Sequence, residues 1–495
     1  MSDLFVDIKL PTGITYQQPI GLYIDGEWRK SDSTAESVNP ATEEPITSVY
    51  FANEKDVDDA AHAAKKAFKQ WKKIPGAEKA KLINKLADLT IENLELLSAV
   101  EALDTGKPLE LNCKADIEGV ADYLKYCAGW ADKNHGKYIP VTSTKFAYTV
   151  PEPYGVVGQI VPWNYPLSMS GWKIAPALAA GNCIIIKSAE NTPLSLLLFA
   201  TLVEKAGFPK GVVNIISGYG PIAGSAIAKH PLISKVAFTG STKVGSIVQK
   251  LAAENLKAVT LECGGKSPLI VFDDADIDQC IKWASFGIFY NSGQNCTSNS
   301  RIYVQEKIYD EFVSKFTKFT KEKYILKDPF DKSCELGPVI SKIQYDRIKN
   351  YIEIGAKEGA LMVTGNEPHT FKTGYYIQPT IFTDCTEDMT IVKEEIFGPV
   401  VAISKFSTQE EVIEKANNST YGLASMVFTK DLVRGHVMAE ELEAGMCYIN
   451  SSNDEDIRVP FGGYKMSGVG RELGENGILA YTQVKAVHVN MGTTL

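Results

Sequence analysis

Five short apolar runs recur between residues 155 and 261, at 155–161, 183–186, 212–216, 236–238 and 259–261, and each gap is long enough for a helix. Strand, helix, strand repeated in this way predicts right-handed crossovers and a parallel, doubly wound sheet. Such a sheet binds ligands beyond the carboxyl ends of its strands, where Lys187, Ser217, Thr239 and Glu262 fall. A second alternating set begins at 267–273 and continues to about residue 445, with 402–406 and 424–428 as further strands, and predicts a second α/β domain. A chain of 495 residues is too long for one core, so two or three domains are expected.

The flanks read differently. Residues 1–52 predict short strands and turns, with a hairpin around Asp25-Gly26. A helix capped by Asn53 carries Val57, Ala60, Ala64, Ala67 and Trp71 on one face, and a second, from about 77 to 105, turns Leu82, Leu86, Leu89, Val100 and Leu103 inward. Segments 138–150 and 484–490 alternate like edge strands.

Chemistry enters at Cys296, in a turn-forming run between a helical stretch, 277–289, and a strand-like one, 301–305. A loop cysteine becomes a nucleophile only with a partner. Glu262 is the candidate, because a carboxylate at the end of an apolar strand is costly unless it has a function. Cys263 beside it reads as a small core residue. None of the six histidines lies in a polar motif, which argues against a cysteine–histidine acyl transferase. A net charge of −9 argues against nucleic acid or an anionic membrane as partner and favours small molecules. The nine cysteines show no C-x-x-C pair and no metal-ligand spacing. With no signal-like opening, no apolar run of membrane-spanning length, and no peroxisomal address in Gly492-Thr-Thr-Leu495, a cytoplasmic protein with reduced thiols is expected.

Six motifs in order, Pro162-Trp-Asn-Tyr-Pro166, Lys187-Ser-Ala-Glu190, Phe238-Thr-Gly-Ser-Thr-Lys-Val-Gly245, Leu261-Glu-Cys-Gly-Gly-Lys-Ser267, Gly293-Gln-Asn-Cys296 and Glu394-Glu-Ile-Phe-Gly-Pro399, resemble the aldehyde dehydrogenase superfamily over essentially the whole chain, with yeast cytosolic members nearest. The resemblance implies an NAD-binding domain of residues 1–130 and 152–264, a catalytic domain of 265–466, and a small β oligomerisation arm of 131–151 and 480–495. It implies NAD-dependent oxidation of an aldehyde to a carboxylate through a thioester on Cys296. Asn164 and the Cys296 backbone N–H would hold the oxyanion, and Glu262 would activate the hydrolytic water. Lys173 and Glu472 would form a proton path, the alternative being two surface charges. By the same resemblance the cofactor residues are Trp163, Lys187, Glu190, Gly240, Ser241, Val244, Gly245, Glu395 and Phe397. A carboxylate at Glu190 would repel a 2′-phosphate and favour NAD over NADP. The G-x-G-x-x-A stretch after Ser217 is a weaker phosphate site, since no acidic residue follows at the required distance.

Tyr165, Trp172 and Phe461 match family positions lining the aldehyde tunnel and suit an apolar chain. Just before Phe461 runs Asn453-Asp-Glu-Asp456, either a solvated acidic loop or a mouth in which Asp454 and Glu455 select cationic aldehydes. The substrate expectation is therefore an amino- or trimethylammonio-aldehyde, with a short aliphatic aldehyde as the alternative. A homotetramer is implied by the resemblance.

Overall fold

The computed structural model describes residues 2–494; Met1 and Leu495, the outer limits of the amino-terminal and arm expectations, lie outside the described residues. Five parallel strands, Val156–Ile160, Cys183–Lys187, Val213–Ile216, Lys235–Thr239 and Ala258–Glu262, form the centre of an eight-stranded sheet. Nearly all their residues are buried, as strands covered by helices on both faces must be. Antiparallel strands close both edges: Leu22–Ile24 with Glu27–Arg29 on one side, and Gly468–Val469 on the other.

The first three strands progress in one direction across the sheet and the last two in the other. The order therefore reverses between Val156–Ile160 and Lys235–Thr239, and the crevice that binds ligands in such sheets opens there. The loops leaving those two strands carry Asn164 and Gly240-Ser241.

A second sheet runs in the order Leu361–Thr364, Thr380–Thr383, Val400–Phe406, Arg301–Gln305, Pro268–Val271, Ala424–Phe428 and Met446–Ile449. Every pairing except the first is parallel, so the second α/β sheet expected from residue 267 onward is present. Thr482–Asn490 and Tyr138–Thr142 flank Lys145–Pro153 in a third, three-stranded antiparallel sheet.

The predicted helix over 77–105 is two helices, Gly76–Glu92 and Leu94–Thr105. The break falls at Asn93, whose side-chain Nδ2 donates to the Leu89 carbonyl at 2.8 Å and whose ψ of 19° leaves the helical range. A further helix, Lys114–Ala128, was not anticipated, although Ile117, Val120, Ala121 and Leu124 repeat at helical spacing and are buried. The Asp25-Gly26 hairpin and the Asn53 cap form as expected: Asp25 and Gly26 both take positive φ, and the Asn53 side chain accepts from the Asp56 N–H.

Candidate active site

The loop that presents Cys296 is held in an unfavourable backbone shape by many contacts. After the helix Ile277–Phe289, Asn291 and Ser292 adopt φ of 52° and 54°, a left-handed conformation costing on the order of 1–2 kcal/mol per residue. Asn291 Nδ2 donates to the carbonyls of Asn164 (3.1 Å) and Gln294 (3.3 Å), and Ser292 Oγ to Gly337 O at 2.8 Å. Gly293, at φ 69°, lies so close to the Gly398 carbonyl that a Cβ would sit 2.1 Å from it. Strain retained this way keeps a reactive group in one position.

Cys296 opens into a cavity of about 550 Å³ that Asn164, Glu262 and Glu472 also line. Glu262 is 3% exposed, and among the described residues neither carboxylate oxygen has a hydrogen-bond partner. Burial, reinforced by the neighbouring Glu472 carboxylate, holds its carboxyl well above the usual range, while Lys173 and Arg471 pull in the opposite direction. The Cys296 thiol is pushed up by burial and then by Glu262, Glu395 and Glu455. Asn164 Nδ2 donates to the Gln294 carbonyl at 2.9 Å, a contact that ties its amide to the nucleophile loop.

Lys173 and Glu472 are buried neighbours, not surface charges. Lys173 Nζ donates to Glu472 Oε1 at 2.7 Å and to Thr239 Oγ1 at 2.6 Å, while Glu472 Oε2 has no hydrogen-bond partner among the described residues. Glu472 thus connects the ammonium to the cavity that holds Glu262.

Trp163, Gly240, Ser241, Glu395 and Phe397 line the same cavity. Ser241 Oγ caps the helix Thr242–Ala252 by accepting the Val244 N–H, and the amino end of that helix faces the crevice as a dinucleotide pyrophosphate requires. The ring of Phe397 meets Trp163 edge-on at 5.4 Å, although its backbone has φ 61°. Gln344 Nε2 donates to the Phe397 carbonyl (2.7 Å) and Arg347 to the Glu395 carbonyl (2.7 Å), fixing this loop. Gly264 leaves room for the Glu395 carboxylate, which a Cβ there would meet at 2.2 Å.

Lys187 and Glu190 stand outside this cavity. Lys187 Nζ donates to the carbonyls of Ser188 and Gly218 at 2.7 Å each, and burial lowers the pKa of its ammonium. Glu190 Oε1 accepts the Gly220 N–H at 2.6 Å, so the glycine-rich stretch after Ser217 serves to orient Glu190. Gly245 packs against Cys263, and Val244 is 42% exposed on the outer turn of the helix. A nicotinamide dinucleotide fits these residues: a capped helix start at the strand-order reversal, an oriented carboxylate at one end, and a carboxylate with an aromatic edge at the other.

Tyr165, Trp172 and Phe461 line the cavity, with Trp172 and Phe461 edge-to-face at 5.0 Å. The acidic run needs correction. Only Glu455 of its three carboxylates lines the cavity; Asp454 is exposed and does not, and Asp456 is occupied by Arg458, which lowers its pKa to about 2. Tyr448 donates to Glu455 Oε1 at 3.0 Å. Crowding by the walls raises the Glu455 carboxyl, an effect tempered by the open surface it retains.

Sequence reasoning missed Asp116 and Gly119, contributed by the unanticipated helix, and Phe286 from the last turn of the helix Ile277–Phe289 with Tyr290 just after it. The helical spacing of 117, 120, 121 and 124 would have found the first pair. Nothing in the local sequence marks the second pair.

A family model described as the aldehyde dehydrogenase family matches residues 28–487. An aldehyde dehydrogenase [NAD(P)+] of Saccharomyces cerevisiae is 53% identical over 99% of both chains. The NAD+ complex of a Bacillus cereus aldehyde dehydrogenase superposes with a TM-score of 0.94 at 49% identity, covering 96% of this chain and 97% of that one. The NAD+ complex of a Staphylococcus aureus betaine aldehyde dehydrogenase does so with the same TM-score at 39% identity, covering 97% and 96%.

Proposed function

Since the chain belongs to the aldehyde dehydrogenase family, we propose that it oxidises an aldehyde to a carboxylate with NAD, using Cys296 as nucleophile and Glu262 as the base that activates water. The observation that carries this reading is a buried carboxylate without a hydrogen-bond partner among the described residues, facing the same cavity as the Cys296 thiol, which a strained loop presents.

NAD, when bound, supplies the hydride acceptor, and Gly240, Ser241, Trp163, Glu395 and Phe397 would hold it beside Cys296, with Lys187, Glu190, Val244 and Gly245 toward its adenosine end. The Cys296 sulfur adds to the aldehyde carbon as the thiol proton passes to solvent water, and the carbonyl oxygen becomes an oxyanion. The Asn164 amide and the Cys296 backbone N–H stabilise that charge, which develops only as the bond forms. Loss of hydride from the same carbon leaves a thioester on Cys296. Glu262 then takes a proton from water, the resulting hydroxide attacks the thioester, and the carbon–sulfur bond breaks to release the carboxylate and restore the thiol. Glu472 and Lys173 carry the proton onward from Glu262.

The preferred substrate in this reading is a small aldehyde with a positive charge at its far end. Tyr165, Trp172 and Phe461 enclose a methylene chain or face a cation, and Glu455 supplies negative charge. A short aliphatic aldehyde is the second reading, favoured by the pairing of Asp456 with Arg458, which leaves little spare charge at the mouth. The edge strands at 138–142 and 482–490 would join copies of the chain into a homotetramer. NADH formation on adding an aldehyde, with Cys296→Ala as control, tests the core of the proposal; NADH formation by the variant would reject it.

A further inference from the structure

Lys107 is a buried cation in a turn between helices, and the mechanism above does not use it. Its Nζ donates to Glu101 Oε1 at 3.1 Å, to Asp116 Oδ2 in a short contact, and to the Asn164 carbonyl at 3.4 Å. It also lies 4.6 Å from the centre of the Tyr165 ring. Glu101 is equally buried and uses its other oxygen, Oε2, to accept the Leu167 N–H at 3.2 Å. Leu167 is in the first turn of the helix Pro166–Ala179, whose cap residue Tyr165 makes no side-chain capping bond. One ion pair therefore grips both ends of the turn 164–167: the cation holds its first carbonyl, and the anion caps the helix that follows. The same Asn164 carbonyl accepts Asn291 Nδ2, linking the turn to the nucleophile loop.

A buried ion pair is weak evidence of stabilisation, because desolvation offsets much of the attraction, so its reason for being here lies in what it orients. We propose that Lys107, acting with Glu101, is a positioning residue that fixes the Asn164 turn so that the Asn164 amide meets the oxyanion on Cys296. This rests on the oxyanion role of Asn164 given above.

The test is a double-mutant cycle read in the pre-steady-state hydride burst. Asn164→Ala alone should slow the burst by about 10²–10³-fold, the cost of one oxyanion donor. Lys107→Met should slow it by about 10- to 100-fold, as a small misplacement of a catalytic group does, with KM and the Kd for NAD within about twofold of the parent. In the Asn164→Ala background, Lys107→Met should add less than about twofold, because the group it positions is gone. If the two effects multiply instead, Lys107 acts elsewhere and the proposal is overturned. An unchanged burst in Asn164→Ala rejects the oxyanion role itself, a failure distinct from that of the Lys107 assignment. Since Lys107→Met strands two buried carboxylates, the neutral set Glu101→Gln, Lys107→Met and Asp116→Asn is measured in parallel. A lowered thermal midpoint together with weakened NAD binding in that set would show a purely structural role and overturn the proposal.

Discussion

Phe461 and Glu472 exchange both backbone hydrogen bonds, Phe461 N–H to Glu472 O at 2.7 Å and Glu472 N–H to Phe461 O at 2.8 Å. Opposite them, on one helix, stand the adjacent residues Trp172 and Lys173: Trp172 meets Phe461 edge-on, and Lys173 donates to Glu472. The aromatic wall for the substrate and the candidate proton path are thus two faces of one contact. Any shift of residue 461 must move residue 472 with it.

Replacing Cys296 by Ala should abolish aldehyde-dependent NADH formation while leaving NAD affinity within about twofold, because the thiol enters the chemistry and the cofactor residues belong to other elements. Fluorescence titration with NAD, together with the activity assay, checks both halves. Retained turnover, or lost NAD binding, contradicts the assignment.

Glu262→Gln should preserve the hydride burst and lower steady turnover by about 10²–10⁴-fold, since only hydrolysis needs the base. The raised carboxyl adds a pH signature. A group held protonated by burial becomes a base only as pH climbs through its elevated pKa, so the parent's turnover should rise with pH while the Gln variant loses that limb. A burst that disappears in Glu262→Gln would instead place Glu262 at removal of the Cys296 proton.

How much of this was legible in the sequence varies with how local the signal is. The parallel strands, the helix before Cys296 and the Asn53 cap follow from periodicity and from side chains that act within four residues. The break at Asn93 depends on a side chain competing for a backbone carbonyl, which a run of apolar spacings hides. Glu262 announced itself as a charge in a buried strand, whereas no local signal in the glycine-rich stretch after Ser217 showed that the Gly220 N–H goes to Glu190. Asp454, Glu455 and Asp456 are chemically alike in sequence; only the loop's path decides that one enters the cavity and another is taken up by Arg458.

The orientation of Glu190 predicts cofactor choice. Held by the Gly220 N–H, its carboxylate cannot swing away cheaply from a 2′-phosphate, so kcat/KM with NAD should exceed that with NADP by at least about tenfold. Glu190→Ser should narrow the gap chiefly through the KM for NADP. Equal use of both cofactors by the parent, as the name of the 53%-identical relative allows for that protein, would show that the loop yields.

Assembly is predicted from the third sheet. Tyr138 (67% exposed) and Val484 (70%) lie on its two outer strands, each of which has one side without a partner strand among the described residues. Apolar edge strands of this kind are expected to be covered by another copy. Light scattering at micromolar protein should give four times the 54.2 kDa chain mass, and removal of residues 482–494 should reduce it. A monomeric mass for the intact chain contradicts the prediction.

In the proposed reading, Glu455 is the carboxylate of the acidic run that favours a cationic substrate, since Asp454 does not line the cavity and Asp456 is paired with Arg458. An aldehyde with a terminal ammonium, such as 3-aminopropanal or 4-trimethylammoniobutanal, should be used at least as efficiently as an uncharged aldehyde of equal length. Glu455→Gln should raise KM for the cationic substrate by about three- to tenfold and leave the neutral one nearly unchanged, because a partly open carboxylate contributes on the order of 1 kcal/mol. Asp454→Asn should change neither, since that side chain is exposed and does not line the cavity. The preference should also weaken with added salt, which screens an accessible charge over about 8 Å at physiological ionic strength. If Glu455→Gln impairs both substrates equally, the carboxylate serves only to hold Tyr448, and a short aliphatic aldehyde becomes the better assignment.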